Sequence, residues 1–111
     1  MSIKRFAFAL PPLLAVLAAT ALAQTQPKSF ADGDPAAGKV LSDKDCVACH
    51  ARRYDGDASR IYLRSDRRVK TPEQLLAQIQ YCSTELRTQY FPDEEAHVAA
   101  YLNVTYYKFA P

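Results

Sequence analysis

"KDCVACHARR", residues 44–53, places two cysteines and a histidine within five consecutive positions of a chain of 111 residues. Cys46, Cys49 and His50 have the spacing C-x-x-C-H, with the imidazole directly after the second thiol. Thiols and imidazoles are side chains that bind metals, and thiols also react with cofactors. The stretch therefore predicts a chemical site at this point, and the rest of the chain must be arranged around it.

The chain begins with a segment that is typical of a secretory signal peptide. Lys4 and Arg5 precede an apolar run, and residues 21–23 have the A-x-A form of a cleavage site. Pro11 and Pro12 interrupt the run, which is too short for the about 20 apolar residues of a membrane-spanning helix. We therefore expect cleavage after Ala23, a periplasmic location and no stable membrane span in the mature protein.

Removal of residues 1–23 leaves 88 residues, which is enough for one small domain. Residues 24–33 are polar and rich in turn-forming residues, so they predict a flexible leader before a domain at residues 34–111. The removed segment takes two positive charges with it, and the net charge falls from +2 to zero. A neutral domain argues against nucleic acid as a partner, because phosphate binding needs a basic surface.

The first predicted helix leads directly into the motif. Asp34 before Pro35 is typical of a helix start, because the carboxylate accepts from free backbone N–H groups and proline is tolerated at the first position. Gly38 within this helix costs about 0.5–1 kcal/mol relative to alanine, which indicates a close helix crossing there. The side chains that we expect this helix to bury are Ala36, Val40 and Leu41.

Two further helices have start signals. Residues 71–74, Thr-Pro-Glu-Gln, match a capping box, and the helix that follows places Leu75, Ile79 and Cys82 on one apolar stripe. The last helix carries acidic residues at positions 93–95, where the helix dipole favours them. We expect the buried face of this helix to consist of Val98, Tyr101 and Leu102. We expect the aromatic residues that follow, Tyr106, Tyr107 and Phe109, to pack against the body of the domain. No strand pattern is present, so the prediction is an all-α fold with long loops.

The segment between the motif and the second capping signal is strongly charged. It holds seven basic and three acidic residues, and it predicts either a solvated loop or a positive rim around a site that takes an anionic group or an acidic partner. The basic residues are Arg52, Arg53, Arg60, Arg64, Arg67, Arg68 and Lys70.

C-x-x-C-H is the attachment signature of c-type haem. Two thiols at this spacing can add to the two vinyl groups on one haem edge, and the histidine is then placed to bind the iron. This predicts one covalent haem c held by Cys46, Cys49 and His50. A thioredoxin-like site would need alternating strands and helices, which are not predicted, and a zinc site would need Cys82 and His97 as further ligands.

The chain resembles the small monohaem class I cytochromes c, through "AAGKVL" (36–41), "CVACH" (46–50) and "EEAHVAAYLN" (94–103). The resemblance implies three or more helices around the haem, with the first and last helices crossing beside it. It also implies that Cys46 and Cys49 form the thioethers and that His50 is the proximal axial ligand of the iron.

The second axial ligand departs from the usual pattern of this family. Most members use a methionine, but the only methionine here is Met1, in the predicted signal peptide. The remaining options are Cys82, His97, Tyr81 or an open position. Cys82 is favoured because it lies where the family's methionine arises, although a buried core cysteine or an intermolecular disulfide would also account for it. We expect His97 at the surface.

The resemblance implies a periplasmic electron-transfer protein that meets a redox partner protein, either as a free carrier or as the haem subunit of a larger complex. The alternative is a haem protein that binds or senses NO or CO at an open or weakly held sixth position. A haem subunit of a sulfur-oxidising enzyme, with Cys82 in the chemistry, is a third hypothesis. No nucleophile, acid and base set stands out, so we do not expect independent enzyme activity.

Overall fold

The computed structural model describes residues 30–110, and this part of the chain is helical with no β-strand among the described residues. The prediction of an all-helical fold is therefore confirmed. The helices are α1 (Pro35–Asp45), α2 (Val47–Arg53), α3 (Arg60–Leu63), α4 (Pro72–Glu85) and α5 (Pro92–Leu102). A 3-10 turn, Phe30–Asp32, precedes α1, and a π-helical turn, Asn103–Tyr107, follows α5.

The predicted signal peptide, residues 1–23, lies outside the described residues, as does most of the predicted leader. Within residues 30–110, no helix has the length and apolar character needed to cross a membrane. Phe30, at the end of the predicted leader, is only 8% exposed and belongs to the core. The folded part of the chain therefore includes Phe30 and begins before Asp34.

The helix starts lie where the capping signals predict them. An Asp34 carboxylate oxygen accepts from the backbone N–H of Ala36 at 2.8 Å, and Pro35 is the first residue of α1. At the start of α4, the Thr71 hydroxyl accepts from the backbone N–H of Gln74 at 3.2 Å. Side-chain oxygens thus satisfy backbone donors that have no partner inside a helix.

α1 and α5 cross in direct backbone contact at Gly38. A Cβ atom added to Gly38 would lie 1.8 Å from the His97 carbonyl oxygen and 2.9 Å from the Val98 nitrogen. The prediction of a close crossing is confirmed.

The predicted buried face of α1 is wrong. Ala36 is exposed and Val40 is 67% exposed, and Leu41 is only partly buried. The buried residues of α1 are Gly38 and Ser42. The small residues at positions 38 and 42 admit the backbone of α5, and this turns the apolar side chains of α1 away from the crossing.

The core agrees with the predicted stripes of α4 and α5 except at Cys82 and Tyr101, which are only partly buried. Leu75 and Ile79 of α4 are buried, and so are Val98 and Leu102 of α5. Ser83 rather than Cys82 ends the buried stripe of α4, because the buried residues Leu75, Ile79 and Ser83 follow the i, i+4, i+8 row of the helix. The half-buried Cys82 lies beside the stripe.

The aromatic residues at the chain end pack against the body, as predicted. Tyr106 stacks on Tyr62 of α3 with ring centroids 4.9 Å apart, and Tyr107 stacks on Phe109 at 5.3 Å. The guanidinium of Arg67 lies over the Tyr107 ring, 4.7 Å from its centroid. Cation–π and stacking contacts of this kind hold the irregular loop and the chain end together.

A buried asparagine, Asn103, fixes the turn by which the chain end packs against the core. The Asn103 amide nitrogen donates to the Phe109 carbonyl oxygen at 3.1 Å, and the Phe109 backbone N–H donates to the Asn103 amide oxygen at 2.8 Å. Lys108 between them has a left-handed backbone, with φ of 60°. Asn103 is 8% exposed, and its two hydrogen bonds fix the turn that places Tyr107 in the core.

Replacement of Asn103 by alanine is expected to lower the free energy of unfolding by about 1–3 kcal/mol, because both backbone groups of Phe109 lose a partner. Urea unfolding of the full chain measures this loss. Thr105→Ala, at an exposed position of the same turn, is the matched control and is expected to change stability by less than about 0.5 kcal/mol. Equal stability of the two variants would contradict the role given to Asn103.

Candidate functional site

A cavity of about 460 Å³ lies between α2, α3, α4 and α5. Its volume falls within the range of about 300–1,000 Å³ that is usual for pockets that hold small molecules and cofactors. Its apolar walls include Ile61, Val69, Leu75, Ile79, Val98 and Leu102. A large apolar cavity in so small a domain leaves the core unfilled by side chains alone, which favours a bound group that completes it.

All three residues of the C-x-x-C-H motif face this cavity. Cys46 joins the end of α1 to the start of α2, and the His50 backbone N–H donates to its carbonyl oxygen at 3.2 Å. Cys49 and His50 follow at i+3 and i+4, which are the positions that share one face of a helix with Cys46. The helical backbone of α2 therefore presents two thiols and one imidazole to the same wall.

The two motif cysteines have different surroundings. Burial raises the pKa of the Cys46 thiol to about 11, and the neighbouring Cys82 and Asp45 add to the rise. Cys49 is exposed, and its sulfur accepts a hydrogen bond from the Arg52 guanidinium at 3.1 Å. Cys46 is therefore a protonated thiol at neutral pH. The sulfur of Cys49, in contrast, is hydrogen-bonded to the cationic guanidinium of Arg52.

His50 is a half-buried, neutral imidazole. Burial lowers its pKa below the ordinary value, and the positive charge of Arg53 lowers it further. Its Nδ1 atom lies 2.9 Å from the Tyr62 hydroxyl oxygen, so the two groups share a hydrogen bond. Neutral imidazole is the form that binds a metal, and a hydrogen bond at Nδ1 leaves Nε2 for that role.

The candidates for a second iron ligand occupy different places. Cys82 lies on the cavity wall, where its sulfur accepts a hydrogen bond from the Gln78 side-chain amide at 3.3 Å. Tyr81 also borders the cavity but is 62% exposed. The structure thus brings Cys82 to the same cavity as Cys46, Cys49 and His50.

His97 has a structural contact instead. It does not border the cavity, and its Nδ1 atom accepts from the Asp34 backbone N–H at 2.8 Å. His97 is half-buried rather than fully at the surface, and it ties α5 to the residue before α1. This contact joins residues far apart in the chain, so no local pattern could have predicted it.

Four of the seven basic residues of the central segment border the cavity: Arg53, Arg64, Arg67 and Arg68. Arg64 forms an ion pair with Asp66 at 2.6 Å and donates to the Tyr54 hydroxyl at 2.9 Å. Arg67 donates to the Tyr62 carbonyl oxygen at 2.8 Å. Asp45 and Glu85 also border the cavity, so its rim is positive on balance, and Arg64 and Arg67 also hold the loop in shape.

Tyr62 is the residue at this site that the sequence does not single out. It is 8% exposed and touches His50 through both its hydroxyl and its ring, whose centroid lies 5.3 Å from that of the imidazole. The only local signal is the triplet Ile61-Tyr62-Leu63, which is apolar within a charged segment. Together with Arg60, that triplet forms α3.

The side chains that the structure describes do not assemble a metal site of their own. No group of three or more His, Cys, Asp or Glu side chains among residues 30–110 could hold a metal ion. The alternative zinc site of Cys46, Cys49, Cys82 and His97 is therefore not assembled. Haem needs two thiols at its edge, an imidazole for its iron and an apolar cavity, and the residues here fit that set.

Comparisons with protein-family models, with curated proteins and with solved structures find no match for this chain. Its function is therefore inferred from the motif and from the geometry of the cavity.

Proposed function

We propose that this protein is a periplasmic c-type cytochrome that transfers electrons through one covalently attached haem. The observation that carries the proposal is the position of Cys46, Cys49 and His50 on one wall of an apolar cavity of about 460 Å³. When bound, the haem supplies the redox chemistry, because its iron accepts and releases one electron. The protein residues attach it, orient it and exclude water from it.

Each motif residue has a separate task in this proposal. Cys46 and Cys49 would hold the haem, each by addition of its thiol across one vinyl group to give a thioether. His50 would bind the iron through Nε2, since its Nδ1 is engaged with Tyr62. The apolar residues of α4 and α5 that line the cavity would give the haem a low-polarity surrounding, which influences the reduction potential.

The fold that we propose is that of class I cytochromes c. The crossing of α1 and α5 at Gly38 supports it, since the resemblance implies that the first and last helices cross beside the haem. Val98 and Leu102 extend from this crossing helix to the cavity. The crossing therefore supplies part of the wall that a haem would contact.

The positive rim can pair with the carboxylates of a haem and with the acidic surface of a partner protein. Arg53 and Arg68 border the cavity and are exposed at its edge. Haem carries two carboxylates, and guanidinium groups pair with carboxylates more strongly than neutral donors do. The same rim would attract the acidic surface of a redox partner protein, with an effect that weakens as salt is raised.

The absorption spectrum of the purified full chain tests the proposed function. The chain is produced in a bacterium that attaches haem to exported proteins, and the denatured product is analysed for covalent haem. We expect one haem per chain and a reversible one-electron couple with low-spin iron in both oxidation states. High-spin iron that binds CO or NO at once would favour the ligand-sensing alternative, and absence of covalent haem would overturn the proposal.

Cys82 is proposed as the distal iron ligand. Substitution of Cys82 by alanine is expected to abolish thiolate ligation and to shift the oxidised protein toward the high-spin absorption and electron paramagnetic resonance spectra. Tyr81→Phe is the matched control at the adjacent position, and we expect it to leave both spectra unchanged. A low-spin spectrum that survives in the Cys82 variant would remove Cys82 from the ligand set.

A further inference from the structure

We propose that Tyr62 is the positioning residue for His50: its hydroxyl oxygen accepts a hydrogen bond from Nδ1–H and thereby directs Nε2 to the cavity. The part of this inference that concerns the iron rests on the proposed function. The contact itself, between the Tyr62 hydroxyl and His50 Nδ1 at 2.9 Å, is present in the chain alone.

Two contacts restrict rotation of the His50 ring. One is the hydrogen bond at Nδ1, and the other is the edge-to-face contact with the Tyr62 ring, at an interplanar angle of 66°. Rotation of the imidazole by half a turn would bring a carbon atom to the hydroxyl and leave two polar atoms without their partner. Loss of a partner at a buried site is costly, so one ring orientation is strongly preferred.

The proton positions follow from the tautomer of His50. A neutral imidazole carries one proton, and a metal at Nε2 requires that proton to be on Nδ1. A tyrosine hydroxyl is protonated at neutral pH. A hydroxyl oxygen can accept from Nδ1–H as well as donate, so the same pair of atoms serves the metal-binding tautomer without any movement of the backbone.

Tyr62 is held in place by more than its own short helix. α3 has only four residues, and a helix of that length has little stability by itself. The Tyr62 carbonyl oxygen accepts from Arg67 at 2.8 Å, while Tyr106 stacks on its ring and Tyr107 meets the ring edge-on with centroids 6.0 Å apart.

The chain end therefore stabilises the position of His50 indirectly. Asn103 holds the turn that carries Tyr107, and Tyr107 packs against both Arg67 and Tyr62. Outer partners of a metal-binding histidine fix the ring orientation and raise the basicity of the imidazole. A phenol oxygen that accepts from Nδ1–H would act in both ways.

The test compares the haem-loaded full chain of wild type, Tyr62→Phe and Tyr107→Phe. Tyr62→Phe removes only the hydroxyl at His50, and Tyr107→Phe removes a hydroxyl from the neighbouring buried ring. The readout is the His50 Nδ1–H proton in the nuclear magnetic resonance spectrum of the reduced protein. We expect its exchange with solvent to become on the order of tenfold faster in Tyr62→Phe and to be unchanged in Tyr107→Phe.

A second readout, the reduction potential, distinguishes a role of Tyr62 in positioning His50 from a role in stabilising the fold alone. The reduction potential of Tyr62→Phe is expected to be more positive than that of wild type, because a less basic imidazole stabilises oxidised iron less well. Tyr107→Phe should keep the wild-type potential even if it unfolds at lower urea concentration. Unchanged proton exchange and potential in Tyr62→Phe would overturn the inference while leaving the proposed function intact.

The positioning role of Tyr62 can be tested even if the proposed haem-binding function is wrong. If the wild-type chain carries no haem, the nitrogen chemical shifts of His50 are measured in the haem-free full chain. A preference for one tautomer that is lost in Tyr62→Phe and kept in Tyr107→Phe would still support the positioning role. Identical His50 shifts in all three chains, or a wild-type chain that does not fold, would overturn it.

Discussion

Alanine at position 38 is expected to destabilise the domain by about 3 kcal/mol or more, the upper end of the usual cost of overpacking a core. The added Cβ would lie 1.8 Å from the His97 carbonyl oxygen, far inside any permitted contact. The obstructing atoms belong to the α5 backbone and cannot rotate away as a side chain can. α1 and α5 must therefore separate, although alanine at a glycine position within a helix normally stabilises it by about 0.5–1 kcal/mol.

Urea unfolding of the full chain, followed by circular dichroism, measures this effect. Val40→Ala is the matched control, because it changes the same helix at a position that is 67% exposed, and we expect a shift of less than about 0.5 kcal/mol. Since Val98 and Leu102 border the cavity, the Gly38 variant should also yield less haem-loaded protein. Stability equal to or above that of wild type would contradict the crossing described for α1 and α5.

Joint substitution of Cys46 and Cys49 by serine is expected to abolish covalent haem attachment completely. Serine has nearly the size of cysteine, but its hydroxyl does not add to a vinyl group under the conditions in which a thiol does, so no thioether can form. His50 and the apolar cavity remain in this variant, and any haem that enters is held only by non-covalent contacts. Denaturation should then release all of it.

Mass spectrometry of the denatured chain and haem staining of a denaturing gel measure the attachment. The matched control is Cys82→Ser, which changes the same residue type on the same cavity wall and should keep one haem per chain. Each single variant, Cys46→Ser or Cys49→Ser, should keep one thioether at reduced yield. Covalent haem in the double variant, or its loss in Cys82→Ser, would assign the attachment to other residues.

Helix starts were predictable from the sequence because capping is a local interaction. The Asp34 and Thr71 side chains bind backbone groups two and three residues away, so the sequence neighbours alone determine the contact. The buried face of α1 was not predictable in this way. It depends on how closely α5 approaches Gly38, and that distance is a property of two segments about 60 residues apart.

The candidate site also combines local contacts, which were predictable, with long-range contacts, which were not. Cys46, Cys49 and His50 are separated by helical spacings, so their common face follows from their positions in the sequence. Tyr62 contacts His50 only because the segment between α2 and α3 brings α3 back to the motif. Its ring packs against Tyr107, which lies in the turn after α5. Neither contact leaves a pattern that apolar periodicity could detect.

The path of the segment after α5 has a consequence for shortened forms of the domain. Asn103, Tyr107 and Phe109 follow the C-x-x-C-H motif by more than 50 residues in sequence, and they complete the support behind Tyr62. A chain cut short before residue 107 would therefore keep the motif but lose the support for its histidine.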